Sequence, residues 1–182
     1  VLKRLIIILS PLFLFFITLG ESMAAKQEDL IYLELKYGRV VIETRPDLAP
    51  NHVMRIKELA SEGFYDGIVF HRVIDGFMAQ TGDPRGDGTG GSDKPDLEAE
   101  FSDANHSRGA VSMARTQNPN SANSQFFICL ADASSLDGQY TVWGQVIEGM
   151  KFVDQIKKGD GPNGSVTNPD KIIKMQLATN AN

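Results

Sequence analysis

Residues 70–83, FHRVIDGFMAQTGD, set one arginine, one histidine and one glutamine among large apolar side chains, and include no serine, cysteine or lysine. A cation and an amide beside phenylalanine and methionine can bind and polarise a ligand, but they supply no nucleophile. The rest of the chain offers little more bond-breaking chemistry. His52, His71 and His106 lie far apart with no H-x-x-x-H or Cys/His ligand spacing, so no metal ion is expected. Ser121 and Ser124 sit in NSANSQFF without a G-x-S-x-G elbow or an evident base, which argues against a hydrolase. Cys129, the single cysteine, lies in QFFICLA and reads as a buried strand residue.

GDGTGG, residues 86–91, matches G-x-G-x-x-G. A phosphate-binding turn must open a helix, whereas Pro84 and Pro95 bracket this segment, so a flexible, solvated loop with no nucleotide is expected. In an extended strand, adjacent side chains face opposite ways. Phe70, Arg72 and Ile74 would then share one side and His71 the other. If Arg72 faces a ligand, His71 packs or hydrogen-bonds within the structure.

The elements that must position these residues are mainly strands. LIYLELKY and RVVIETR read as a hairpin joined at Tyr37-Gly38. The period then changes in DLAPNHVMRIKELASEGFYDG: Pro50 suits a first helical turn, Val53, Ile56 and Ala60 share a face, and Gly63 can end the helix. Further strands are expected over 68–74, 77–81, 110–114, 126–130, 141–147 and 171–177, with a second short helix in GMKFVDQIKKG. Short strands without βαβ alternation favour an antiparallel barrel or sandwich with two packed helices.

With 182 residues, one domain is expected, and a net charge of -5 argues against a phosphate-binding surface and hence against a nucleic-acid partner. Lys3 and Arg4 precede an apolar run from Leu5 to Leu19 and the small residues of ESMAAKQ, the pattern of a secretory signal peptide cleaved after Ala24. The run would rise only about 22 Å as a helix, short of a hydrocarbon core, so cleavage is expected over retention as an anchor. Val1, read as a literally translated GUG start, would suit a bacterial gene and export to the periplasm.

FHRVIDGFMAQTGD, followed by GAVSMARTQNPNSANSQFFICLAD, LDGQYTVWGQV and GMKFVDQI, resembles the cyclophilin family of peptidyl-prolyl cis-trans isomerases from about Tyr32 to Leu177. MARTQNPNSANSQFF is similar to the bacterial branch in particular. The resemblance implies a closed eight-stranded antiparallel β-barrel capped by two α-helices, with a packed interior and a substrate groove outside. The isomerase domain would occupy residues 25–182, its core about 30–178.

Matched residue by residue, the resemblance implies Arg72 as the catalytic arginine and Phe77, Met78, Phe127 and Leu136 as the pocket for the substrate proline. Gln80 and Gln125 would hold the peptide, and Ala114 with Arg115 would pair with its backbone. Tyr140 stands where many eukaryotic members have histidine, keeping an aromatic wall. Arg115 replaces an asparagine, and Ser135 replaces the tryptophan of cyclosporin-sensitive members, which implies weak binding of that drug. The implied enzyme needs no cofactor. Its partners would be proline-containing peptides and exported proteins that are unfolded or still folding; it would be a monomer, and its membrane contact would come only through the signal peptide. A proline-recognising module whose isomerase activity is incidental would use the same groove. An enzyme using residues 86–91 for phosphate would instead bind nucleotide.

Overall fold

The computed structural model describes residues 27–181. The expected signal peptide over 1–24 and its cleavage point lie outside the described residues. The chain opens with an antiparallel hairpin, β1 (Leu30–Leu35) and β2 (Gly38–Thr44), in which Leu35 lies opposite Gly38. The turn is therefore Lys36-Tyr37, one residue earlier than the expected junction.

Helix α1 (Pro50–Ser61) starts where Pro50 needs no N–H partner and buries His52, Val53, Ile56, Leu59 and Ala60 on one face. It ends in a Schellman motif: Phe64 N–H donates to Leu59 O (3.0 Å) and Gly63 N–H to Ala60 O (3.2 Å), while Gly63 takes φ +71°. The left-handed conformation required there explains the glycine. Helix α2 (Met150–Val153) is shorter than GMKFVDQIKKG predicts. Its continuation tightens into i→i+3 bonds, Gln155 N–H to Phe152 O and Ile156 N–H to Val153 O, and stops.

The remaining strands are β3 (Arg72–Ile74), β4 (Met78–Thr81), β5 (Ala110–Met113), β6 (Phe126–Cys129), β7 (Val142–Glu148) and β8 (Lys174–Leu177). All paired neighbours are antiparallel, in the order β3-β4-β6-β5-β7-β2-β1-β8. The sheet curls into an open half-barrel, which corrects the closed barrel implied by the resemblance: β3 and β8, at its two ends, share no ladder. Between them the chain forms only isolated bridges, among them Val69↔Lys171, whose flanking bonds tie 67–70 to 170–172. One bridge is too short to propagate a register.

The late start of β3 has a further effect. Phe70 is fully buried in the main core while Arg72 is half-buried on the outer face, so the two do not share a side as strict alternation predicts. The ladder that enforces alternation begins only at Arg72. Within it, Val73, Ala79, Ile128 and Val111 stand in one cross-strand row and point into the core with Phe126 and Trp143.

His52 and His71 are both buried. Desolvation holds each imidazole below its ordinary pKa of 6.5, in His52 against the pull of Glu100, whose Oε2 lies 2.6 Å from Nδ1. The unfolded chain takes up these protons first as pH falls below about 6.5, so this contribution to stability is complete above that pH and declines beneath it. The urea midpoint is expected to hold between pH 8 and 7 and to drop between about 6.5 and 5. A midpoint unchanged down to pH 5 would mean that neither ring is kept neutral by the fold.

Candidate active site

The outer face of β3, β4 and β6 carries a second apolar cluster, separate from the core. Register puts Arg72 opposite Gln80, Gln80 opposite Phe127, and Phe127 opposite Ser112; one step along, Ile74 faces Met78 and Met78 faces Cys129. Met78, Phe127 and Cys129 are buried on this face, and Ile74, Phe77, Ala114, Leu136 and Tyr140 pack around them. A strand whose two faces are both apolar needs cover on both. Here the loop residues 114–116 and the 3-10 turn Ser134–Leu136 supply only partial cover on the outside, leaving a cavity.

That cavity is about 280 Å³ and is lined by Arg72, Phe77, Met78, Gln80, Ala114, Arg115, Phe127, Leu136 and Tyr140. Nine of the ten residues singled out from the sequence thus meet at one small hollow of mixed polar and apolar lining. The tenth, Gln125, lines an adjoining cavity of about 580 Å³ together with Gln80, Ala114, Arg115 and the loop residues 88–92.

Arg72 is the fixed cation of the site. Its Nε donates to Asn163 O (3.0 Å) and its Nη1 to Gln80 Oε1 (3.1 Å), with Met78 Sδ 3.9 Å away. Among the described residues, Nη2 has no protein partner. Arg115 is held differently: its guanidinium lies 4.4 Å from the centroid of the Tyr140 ring and donates to Gln139 O through Nε (3.2 Å) and Nη2 (2.9 Å). Ala114 spends its own N–H on Gln125 O (2.9 Å).

His106, which the sequence reading did not single out, supports the cavity from behind. Its ring stacks on Phe127 at 6.1 Å, its Nδ1 lies 3.0 Å from Asp137 Oδ1 and its Nε2 lies 3.0 Å from Ser112 Oγ. Tyr140 meets Phe127 edge-on at 5.9 Å. No local motif announces His106, because its partners lie 6, 21, 31 and 34 residues away and only the fold joins them. Cys129 lies beneath the cluster, where burial pushes its thiol up to about 12, so it is an apolar filler and not a nucleophile. His71 is buried as expected, but neither ring nitrogen finds a hydrogen-bond partner; it packs without bonding.

The glycine-rich segment is an exposed loop, tied by hydrogen bonds to Asp83. Asp83, 1% exposed, accepts the N–H groups of Arg85 (2.8 Å), Asp87 (3.1 Å) and Gly88 (2.6 Å). No helix follows the segment, so the geometry of a phosphate-binding turn is missing.

Residues 30–177 match the family model described as cyclophilin type peptidyl-prolyl cis-trans isomerase/CLD. A probable peptidyl-prolyl cis-trans isomerase of Brucella abortus is 58% identical over 168 residues, covering 86% of each chain. A peptidyl-prolyl cis-trans isomerase of Helicobacter pylori is 43% identical, covering 77% of this chain and 90% of that protein. Among solved structures, the cyclophilin AquaCyp293 of Hirschia baltica is similar with a TM-score of 0.77 and 27% identity, covering 86% of this chain and 76% of that one. A Cryptosporidium parvum cyclophilin crystallised in the presence of the dipeptide Ala-Pro is similar with a TM-score of 0.75 and 25% identity, covering 84% and 99%.

Proposed function

This chain belongs to the cyclophilin family and is a peptidyl-prolyl cis-trans isomerase, and from that premise we propose that Arg72 is its catalytic group. The substrate is an X-Pro bond whose proline ring enters the cavity of Phe77, Met78, Phe127 and Leu136. The observation that carries this reading is the convergence of those four side chains and the Arg72 guanidinium on one hollow of about 280 Å³. Proline as the ring to be held is supported by the relative crystallised with Ala-Pro.

Rotation about an amide breaks no bond. It must overcome the loss of nitrogen-to-carbonyl resonance, a barrier of about 18–20 kcal/mol for peptides, and X-Pro bonds turn over in tens to hundreds of seconds unaided. In the twisted transition state the prolyl nitrogen becomes pyramidal and regains a lone pair, so a donor aimed at it stabilises that state and not the planar ground state. With Nε and Nη1 fixed on Asn163 O and Gln80 Oε1, the guanidinium retains donors for the proline carbonyl oxygen and the nitrogen. The apolar walls exclude water and strengthen its field. Gln80 and Gln125 hold the peptide on one side of the bond, and the Arg115 backbone pairs with it on the other. Exchange NMR on an Ala-Pro-containing peptide tests the activity: catalytic amounts of the chain should produce cis/trans exchange cross-peaks, and their absence would refute it.

The same reading makes the chain an exported bacterial member that assists folding of exported proteins in the periplasm. It would act there as a monomer and without a cofactor. What supports export is Lys3 and Arg4 ahead of the apolar run and the small residues up to Ala24. Expressed from its full sequence in a Gram-negative host, the protein should be recovered from the periplasm with Ala25 as its first residue by intact mass. A full-length product in the membrane fraction would overturn export by cleavage. Ser135 lies exposed on the 3-10 turn next to Leu136 and offers no indole, which supports weak cyclosporin binding.

A further inference from the structure

Asp83 follows β4 by two residues and is a buried carboxylate with no cation partner among the described residues. Burying an unpaired carboxylate is costly unless its oxygens are hydrogen-bonded. Burial does push its pKa up, but the N–H groups of the segment that follows outweigh this and hold it below the usual carboxylate value. The bonds have a geometric consequence. Three N–H groups gathered on one carboxylate fix the path of residues 85–88, and the fit is close: a Cβ on Gly90 would lie 2.1 Å from Asp83 Oδ1. A side chain there would push the carboxylate out of its place.

The segment held in this way turns two carbonyl groups toward the site. Gln125 Nε2 donates to Gly88 O (3.1 Å) and to Gly90 O (2.8 Å). A carbonyl can only accept, so Gln125 must turn its NH2 outward and its Oε1 inward. That oxygen accepts from Gln80 Nε2 (3.0 Å), which leaves Gln80 Oε1 to accept from Arg72 Nη1 (3.1 Å). Each amide could sit in either of two orientations, and each is fixed by the one before it. Acceptor-only carbonyls at the loop and the donor-only guanidinium at the other end enforce the same direction.

We propose that Asp83 is a positioning residue for the isomerase reaction: by holding residues 85–90 it fixes the polarity of the Gln125–Gln80 relay, and through it the orientation of the Arg72 guanidinium. The proposal rests on the reading of Arg72 as the catalytic group. If the loop carbonyls moved away, Gln125 would be free to turn, and its NH2, set against the NH2 of Gln80, would compete with the bond from Arg72 Nη1 to Gln80 Oε1. Where that bond is lost, the guanidinium keeps only the one from Nε to Asn163 O.

Asp83→Asn tests this, because it keeps the size of the side chain but turns one acceptor oxygen into a donor facing N–H groups. The expected result is a fall in kcat of about tenfold to a hundredfold, larger than any rise in KM, since the proline pocket is untouched while the two amides that turn also hold the peptide. The side-chain amide signals of Gln80 and Gln125 should shift with it. In the Gln125→Leu background Asp83→Asn should lower kcat no further, because the relay is already cut.

A purely structural role for Asp83 would reduce the folded fraction and leave kcat per folded molecule within about twofold, or would give effects that add to those of Gln125→Leu; either result overturns the proposal. Should Asp83→Asn fail to fold, Gln125→Leu alone carries the test. A fall in kcat of about tenfold or more supports the relay and a kcat within about twofold of wild type overturns it, while KM rises on either reading because Gln125 also holds the peptide. Arg72→Ala measured alongside separates the two readings. If Arg72→Ala is fully active, the assignment of the catalytic group has failed and there is nothing to position; if it is inactive while Asp83→Asn is normal, only the relay has failed.

Discussion

Arg72→Ala is expected to lower kcat/KM on an X-Pro peptide by roughly 10²–10³-fold, the size of effect found when one preorganised donor to a developing charge is removed. The loss should fall mainly on kcat, because the guanidinium's bond to the prolyl nitrogen exists only once that nitrogen is pyramidal, whereas the pocket that holds the ring survives. The fold should survive too. Arg72 is half-buried at an end strand, and the two residues whose acceptors it would leave, Asn163 and Gln80, line a neighbouring open cavity where water can replace it. Arg72→Lys should recover little, since an ammonium keeps the charge but cannot span Asn163 O, Gln80 Oε1 and the substrate from one rigid plane. Exchange NMR at saturating and subsaturating peptide, with the melting temperature as control, measures each part. A folded Arg72→Ala protein with wild-type kcat would remove the arginine from the mechanism.

Phe127→Ala is expected to damage stability and activity together, which Arg72→Ala does not. The ring is 4% exposed, stacks on His106 and meets Tyr140 edge-on, and forms the floor of the cavity. Truncating a buried phenylalanine costs about 3–5 kcal/mol. For a domain of this size that lowers the melting temperature by roughly 6–20 °C. The surviving folded molecules should bind the proline ring poorly, so KM should rise by about tenfold or more, the reverse of the Arg72 pattern. Differential scanning calorimetry and saturation kinetics read the two losses separately. A melting point lowered by less than about 2 °C would mean that the outer cluster is surface decoration and not a second packed layer.

Much of this was legible in the order of residues. Pro50 and Gly63 bracket α1 because each acts within its own turn, one by lacking an N–H and the other by adopting positive φ. The residues of FHRVIDGFMAQTGD share a site because β3 and β4 are consecutive antiparallel strands, and register puts Arg72 opposite Gln80. A local pattern fails past its cause. Alternation does not reach Phe70, because no ladder enforces it before Arg72. Helical period does not continue beyond Val153, because the bonding there has already tightened to a turn.

The order of residues alone specifies an inventory: a mainly antiparallel chain, a cation among apolar side chains, a pair of amides, and no motif that arms a nucleophile. These follow from side-chain chemistry and from interactions within a turn or hairpin, which span a few residues. Contacts distant in sequence settle that the sheet remains an open half-barrel, that His106 braces Phe127 across 21 residues, and that a glycine-rich loop with no phosphate geometry, anchored on Asp83, reaches Arg72 through Gln125 and Gln80. The bonds that build this last relay run largely to backbone N–H and carbonyl groups, which every residue carries alike. They leave no signature in residue type until the fold brings them together.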